Sequence, residues 1–216
     1  MLVLVHILLL VFWLGTDVGV FVSALWVKKR GRPLSERFLL LQLGALLDVM
    51  PRLCSALMFP VGAMLARARW GLHIDDAVLG ALWSIALVWC FAIITAYRRH
   101  DTPVAALIGK IQNIGLALAG LALMGWGSTL LGGDGVPDWL AIKIILFGVI
   151  FFLSIGIDLT FRPVIQTLLA MAAPGGGSDA QESALRTSIN RCCAVVLALY
   201  AAVVAMSALG VIQRPF

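Results

Sequence analysis

Charged residues are scarce in this chain. Only 12% of its 216 residues are Asp, Glu, Lys or Arg, whereas 62% are hydrophobic. A soluble domain carries about 25% charged residues, and here the apolar residues come in blocks long enough to cross a bilayer. A soluble globular fold is therefore excluded. We expect an all-α, polytopic membrane protein in which residues 1–216 form one helical-bundle domain.

Most familiar catalytic motifs are absent as well. The chain has no P-loop, no dinucleotide-binding glycine motif, no H-E-x-x-H and no nucleophile elbow, which excludes the soluble type of hydrolase, kinase or dehydrogenase. Its four cysteines include no C-x-x-C pair, so we expect neither a zinc site of that type nor a disulfide framework. The net charge of +5 comes mainly from short loops between apolar blocks, so nucleic acid is not an expected partner.

Six apolar segments are long enough to span a hydrocarbon core of about 30 Å. They cover residues 2–27, 38–66, 77–97, 104–131, 139–161 and 184–212. The first lacks the basic start and cleavage site of a signal peptide, so we expect it to be retained as a span. Thr102-Pro103, Asp138 and the Asp179–Glu182 capping box are helix-start signals. The apolar stretch 163–173 predicts an interfacial extension of the fifth span.

Basic residues are distributed unevenly between the two ends of the spans. The loops after spans 1, 3 and 5 hold ten basic residues: Lys28, Lys29, Arg30, Arg32, Arg37, Arg98, Arg99, Arg162, Arg186 and Arg191. The opposite side of the membrane holds three: Arg67, Arg69 and Arg214. Loops rich in Lys and Arg remain in the cytoplasm. We therefore predict that both termini are periplasmic and that the protein is a multi-pass protein of the bacterial inner membrane.

One face of the first span carries polar side chains that lipid would penalise. Positions 6, 13 and 17 point within about 20° of one direction and spread over roughly 16 Å of helix axis. His6, Trp13 and Asp17 should therefore face protein, a cofactor or water. The predicted orientation puts His6 about one turn below the outer surface, with Trp13 and Asp17 mid-membrane.

Charged residues also lie inside the second span. Asp48 and Arg52 share one helix face near its midpoint, so we expect Asp17 to pair with Arg52 across the helices. This ion pair either takes part in function or only fixes the packing. Gly15 and Gly19 form a small-xxx-small pair that predicts close helix approach at the same level.

Lys143, in the fifth span, lies at the predicted depth of His6. It either neutralises a carboxylate of a cofactor or substrate, or extends to the interface as a snorkelling side chain. A second polar layer is predicted toward the inner side, where most of its members lie near helix ends and favour a solvated or structural role. Its members are Lys110, Gln112, Asn113, Asp158, Asn190 and Arg191.

Only three histidines occur, and two of them, His6 and His73, belong to the predicted outer half. Because His and Met are common axial ligands of haem iron, His6 is the candidate haem ligand, with His73, Met58 or Met64 as its partner. A hydrogen-bonded packing role for His6 is the alternative. Soft sulfur ligands for Cu(I) are also present in the second span: Met50, Met58, Met64 and Cys54.

Two segments resemble the HemJ/CopD-type membrane proteins, which include the HemJ-like protoporphyrinogen IX oxidases, b-haem proteins, and CopD-like proteins linked to copper handling. The first is His6, six residues and then Trp13-Leu14-Gly15. The second is Trp139-Leu140-Ala141-Ile142-Lys143, similar to a W-L-x-x-K run. The closing Arg214-Pro215-Phe216 also resembles a HemJ terminus. The resemblance implies that His6 ligates haem and that Lys143 lines the same site.

Three functions are compatible with these residues. The first is a b-type haem protein that performs electron transfer or oxidises a small, porphyrin-like substrate near the outer leaflet. Its haem propionates would be neutralised by Lys143, Arg67 and Arg69, and its partners would be the bilayer, a redox protein or quinone and a second copy of the chain. The second is CopD-like transport of copper or a small solute. The third is a structural or assembly subunit.

Overall fold

A computed structural model describes residues 1–100, 102–133 and 135–212, and within these ranges the chain forms six α-helices and no strand. The helices are α1 Leu2–Val27, α2 Leu34–Trp70, α3 Asp76–Arg98, α4 Pro103–Leu130, α5 Asp138–Ala172 and α6 Asp179–Ile212. All six are long and apolar enough to cross a membrane. The prediction of a six-span, all-α membrane protein is therefore confirmed. The closing tripeptide Arg214-Pro215-Phe216 lies outside the described residues.

Each helix packs against the next one in the chain. In addition, α1 contacts α6, and α2 contacts α5. One end of the bundle brings together the start of α1, the end of α2, the start of α5 and the end of α6; we call this the terminal side. The opposite end joins the end of α1, the start of α2, the end of α5 and the start of α6.

Three helices are much longer than the roughly 20 residues that a bilayer requires: α2 has 37 residues, α5 has 35 and α6 has 34. Their surplus forms a helical extension on the opposite side, with its own apolar core of Val27, Val164, Leu168, Met171, Leu185, Ile189 and Cys193. The predicted extension after residue 162 is thus a continuation of α5 through Pro163. Its apolar residues Val164, Leu168 and Met171 pack against protein.

The capping box of α6 lies one residue earlier than predicted. Ser178 Oγ accepts a hydrogen bond from the Gln181 backbone N–H at 3.3 Å, and Gln181 Oε1 accepts one from the Ser178 N–H at 3.0 Å. This reciprocal pair satisfies the first helical donors. Asp179 and Glu182, the predicted pair, instead form salt bridges with Arg30 and Arg37.

Small residues allow the closest helix crossings. A Cβ atom on Gly148 of α5 would lie 2.7 Å from the carbonyl oxygen of Gly120 on α4, so no side chain fits there. In the predicted pair of α1, a Cβ on Gly19 would lie 2.9 Å from Leu47 Cδ1 of α2. Gly15 has no such neighbour within 4 Å. The predicted close approach of α1 and α2 therefore occurs at Gly19.

Candidate functional site

The described residues line two cavities between the helices. The His6 cavity, on the terminal side, has a volume of about 560 Å³, and the Arg52 cavity, deeper in the bundle, about 310 Å³. Aromatic rings lie between them: Trp13 lines the Arg52 cavity and packs edge-on against Phe147, which lines the His6 cavity, with ring centroids 6.5 Å apart. The predicted polar face of α1 is therefore divided, with His6 in one cavity and Trp13 and Asp17 in the other.

His6 lies in the second turn of α1 and faces α2. A Cβ atom on Gly62 would lie 3.5 Å from His6 Cε1, an ordinary van der Waals distance, so the imidazole packs close to α2 at this glycine. The Nδ1 atom of His6 is enclosed and has no hydrogen-bond partner among the described residues. Within that part of the chain, the alternative of a hydrogen-bonded packing histidine finds no partner for this nitrogen.

Lys143 of α5 lines the same cavity. Its Nζ lies 5.8 Å from the Trp139 ring centroid, and a Cβ atom on Gly210 of α6 would come within 2.7 Å of it. The ammonium is also an electrostatic neighbour of His6. The structure thus brings together the two residues that the resemblance assigned to one site.

The remaining predicted members of this site lie at its rim or outside it. His73 lines the mouth of the cavity, but its side chain is 93% exposed and its Nε2 lies 3.4 Å from Asp75 Oδ1. Arg67 forms a surface salt bridge with Asp76, and Arg69 is exposed. Neither arginine lines the His6 cavity, because both belong to the last turn and a half of α2, which reaches the surface before the chain turns at Gly71.

Arg52 makes its salt bridge across the helices with a residue other than the predicted one. Its Nε donates to Asp48 Oδ2 at 2.6 Å within α2, as predicted, and its Nη2 donates to Asp158 Oδ1 of α5 at 2.9 Å. Asp17 lies next to the Tyr200 hydroxyl and interacts with Arg52 only at longer range. Because α5 continues past Pro163, Asp158 lies near the middle of that helix rather than near its end.

The predicted second polar layer is divided in the same way. Gln112, Asn113 and Asp158 line the Arg52 cavity, where Gln112 Nε2 and Asn113 Oδ1 are enclosed and find no hydrogen-bond partner in the described part of the chain. The other members lie away from it: Lys110 and Arg191 are exposed, and Asn190 accepts a hydrogen bond from Lys28 Nζ at 2.8 Å. Only the first group faces the bundle interior.

The sulfur atoms proposed for copper do not converge. Cys54 and Met58 are buried in one core cluster, but Met64 accepts the indole N–H of Trp83 at 3.3 Å, and Met50 is exposed. Within the described part of the chain, no group of three or more His, Cys, Asp or Glu side chains could hold a metal ion.

The chain was compared with models of known protein families, with curated proteins and with solved structures, and no match was found. Its function is therefore inferred from the side chains that line the two cavities.

Proposed function

We propose that the His6 cavity binds b-type haem and that the protein performs electron transfer or oxidises a small substrate at the bacterial inner membrane. The observation that carries this proposal is the His6 imidazole, which lines a cavity of about 560 Å³ and whose enclosed Nδ1 has no hydrogen-bond partner among the residues that the structure describes. A buried polar atom without a partner costs about 1–3 kcal/mol. A function for the imidazole as a ligand explains why such a residue lies in an apolar helix.

The lining of the cavity fits haem in size and chemistry. Its volume of about 560 Å³ lies within the range of roughly 300–1,000 Å³ typical of ligand sites. Its walls are largely apolar and include Trp70, Trp126 and Trp139, which would pack against a porphyrin face. Haem, when bound, would supply a one-electron redox couple.

The polar residues of the cavity have separate roles in this proposal. His6 would ligate the iron, and Lys143 would neutralise a propionate, since an ammonium beside a carboxylate forms a charge-assisted hydrogen bond. Met58 and Met206 also line the cavity, and the thioether of Met is a known axial ligand of haem iron. The resemblance to HemJ-type proteins agrees with these roles.

Absorbance spectroscopy of the detergent-purified protein tests the proposal. We expect a Soret band in the oxidised protein that shifts on reduction with dithionite. In His6→Ala the band should be lost or shifted, because the iron loses its protein ligand. His100→Ala is the matched control, since His100 lies outside both cavities and its replacement should leave the spectrum unchanged.

Two results would contradict the haem proposal. One is the absence of a Soret band even after the purified protein is incubated with haemin. The other is an unchanged absorbance spectrum in a His6→Ala variant that elutes as a folded protein.

A further inference from the structure

We infer that the Arg52 cavity is a second, independent binding site, and that its ligand is a small organic cation with an apolar body. The first argument is charge. Three carboxylates, Asp17, Asp48 and Asp158, and one guanidinium, that of Arg52, line the cavity. Asp48 and Asp158 hold the guanidinium between them. Uncompensated charge inside a membrane is costly, and such residues mark ligand or ion pathways.

Asp17 is the carboxylate that a ligand could engage. Among the described residues no Lys or Arg lies within salt-bridge distance of it, and the Tyr200 hydroxyl is one of its electrostatic neighbours. It lies on α1 and lines the cavity. A ligand ammonium at this position would offset the excess negative charge without breaking the Arg52 salt bridges.

The size and lining of the cavity select the class of cation. Its volume of about 310 Å³ is far larger than the roughly 30 Å³ that one water occupies, so the space greatly exceeds that of a bare metal ion. Aromatic side chains form part of the wall, among them Trp13, Trp89 and Phe151, and a cation is stabilised by the face of such rings. Carboxylates combined with aromatic rings suit an organic ammonium group.

Two further polar side chains, Gln112 and Asn113, lie in the wall of the cavity. Within the described residues, Gln112 Nε2 and Asn113 Oδ1 are enclosed and have no hydrogen-bond partner. They make part of the wall polar, as the site of a charged ligand requires.

A groove between α3 and α4 adjoins the Arg52 cavity. It is lined mostly by apolar residues, including Val88 and Ile111, and Trp89 and Gln112 line both this groove and the Arg52 cavity. The Trp89 ring packs against Gly115 of α4, where a Cβ atom would lie 2.8 Å from it. The apolar body of a cation bound at Asp17 could extend toward this groove.

The two cavities differ in their charged lining. The His6 cavity has one lysine, Lys143, and one aspartate, the exposed Asp75 beside His73 at its mouth, whereas the Arg52 cavity has three aspartates and one arginine, a surplus that disfavours a ligand with carboxylates. The inference therefore does not depend on the haem proposal. Asp17→Asn should leave the Soret band unchanged, and His6→Ala should leave cation binding unchanged.

Equilibrium dialysis of the full-length protein in detergent, with phenyltrimethylammonium as the probe, tests the inference. We expect saturable binding that weakens about tenfold or more in Asp17→Asn and is retained in Asp17→Glu, which keeps the charge. Asp76→Asn is the matched control, because it makes the same chemical change at an exposed position outside the cavity. The neutral isostere tert-butylbenzene should not compete with the probe.

Three outcomes would overturn the inference: no saturable binding of the probe, equal binding by Asp17→Asn and the unmodified protein, or full competition by the neutral isostere. Each variant is checked by its elution volume and melting temperature. If Asp17→Asn does not fold, Trp89→Leu replaces it, since loss of the aromatic face should also weaken binding several-fold. Unchanged binding in Trp89→Leu would then count against the site.

Discussion

A glycine lies beside each of the two key side chains of the His6 cavity. Gly62 faces the His6 imidazole, and Gly210 faces the Lys143 ammonium. Neither glycine has an unusual backbone conformation, since both lie within helices and neither has a positive φ. A Cβ atom on Gly62 would fit at 3.5 Å from the imidazole, whereas one on Gly210 would displace the Lys143 ammonium. A substitution at Gly210 therefore tests the position of Lys143 without removing its charge.

We predict that Gly210→Ala weakens haem binding about fivefold and leaves the stability almost unchanged. The new methyl group would lie 2.7 Å from Lys143 Nζ, so the flexible side chain must move away from its position in the cavity. Loss of its interaction with a propionate should cost about 1 kcal/mol. Haem titration of the apoprotein measures the affinity, and thermal unfolding measures the stability.

The control for this substitution is Gly80→Ala in α3, where a Cβ atom would meet nothing within 4 Å. It introduces the same methyl group without touching either cavity and should bind haem like the unmodified protein. Equal affinities of Gly210→Ala and Gly80→Ala would show that the position of Lys143 does not affect the haem site.

At the scale of single residues, a polar side chain within an apolar helix identified a candidate site residue, but it did not identify the residue that this side chain contacts. The sequence predicted that Asp48 and Arg52 would share a helix face, and the structure joins them. It could not select Asp158 over Asp17 as the second partner of Arg52, because that choice depends on the rotation of α5 about its axis. Arg37, predicted to be a loop charge, is 1% exposed and donates to Glu182 Oε1 at 2.8 Å, since the two long helices meet beyond the spans.

Among the helices, the pair α4 and α5 has the tightest glycine-mediated crossing. A Cβ atom on Gly148 would lie 2.7 Å from both the Gly120 carbonyl oxygen and Met124 Cγ, and one on Gly127 would lie 3.0 Å from the Ala141 carbonyl oxygen. The crossing is thus held at backbone distance over two turns of α4. Hydropathy identified both helices but not this interface, because small residues on a helix face do not reveal which neighbour they meet.

We predict that Gly148→Ala destabilises the protein by about 2 kcal/mol, because overpacking at a tight contact forces the backbones apart. For a chain of this size that corresponds to a fall in melting temperature of about 4–8 °C. Thermal unfolding in detergent checks the value. Gly109→Ala, where a Cβ atom has open space, is the control in α4 and should not lower the melting temperature. A melting temperature of Gly148→Ala equal to that of Gly109→Ala would contradict this packing.

Most helix boundaries could be predicted from the sequence, because the length of an apolar segment and the turn residues beside it are local features of the chain. The predicted first span and the observed α1 coincide, and the others differ by up to about a turn except where helices project beyond the bilayer. The larger differences, at the end of α5 and the start of α6, arise from the extension core. The helices of this extension pack on one another, and a count of apolar residues per span does not detect such packing.

At the scale of the whole molecule, the orientation in the membrane determines which side of the bilayer the His6 cavity faces. The His6 cavity lies on the terminal side, and the side with the ten loop-assigned basic residues lies opposite. That charge asymmetry predicts that the terminal side is periplasmic. Haem bound at His6 would then exchange electrons or substrate with the periplasmic side of the bilayer.

Cysteines introduced one at a time at exposed positions test this orientation. The native cysteines lie within helices, with Cys54, Cys192 and Cys193 buried and Cys90 half-buried, so a membrane-impermeant maleimide should label the unmodified protein weakly. In spheroplasts we expect Gly133→Cys, between α4 and α5, to be labelled and Ala180→Cys, at the start of α6, to be protected. Both should react after the membrane is permeabilised. Protection of Gly133→Cys together with labelling of Ala180→Cys would reverse the orientation, and the haem site would then face the cytoplasm because His6 and the α4–α5 loop lie on the same side of the bundle.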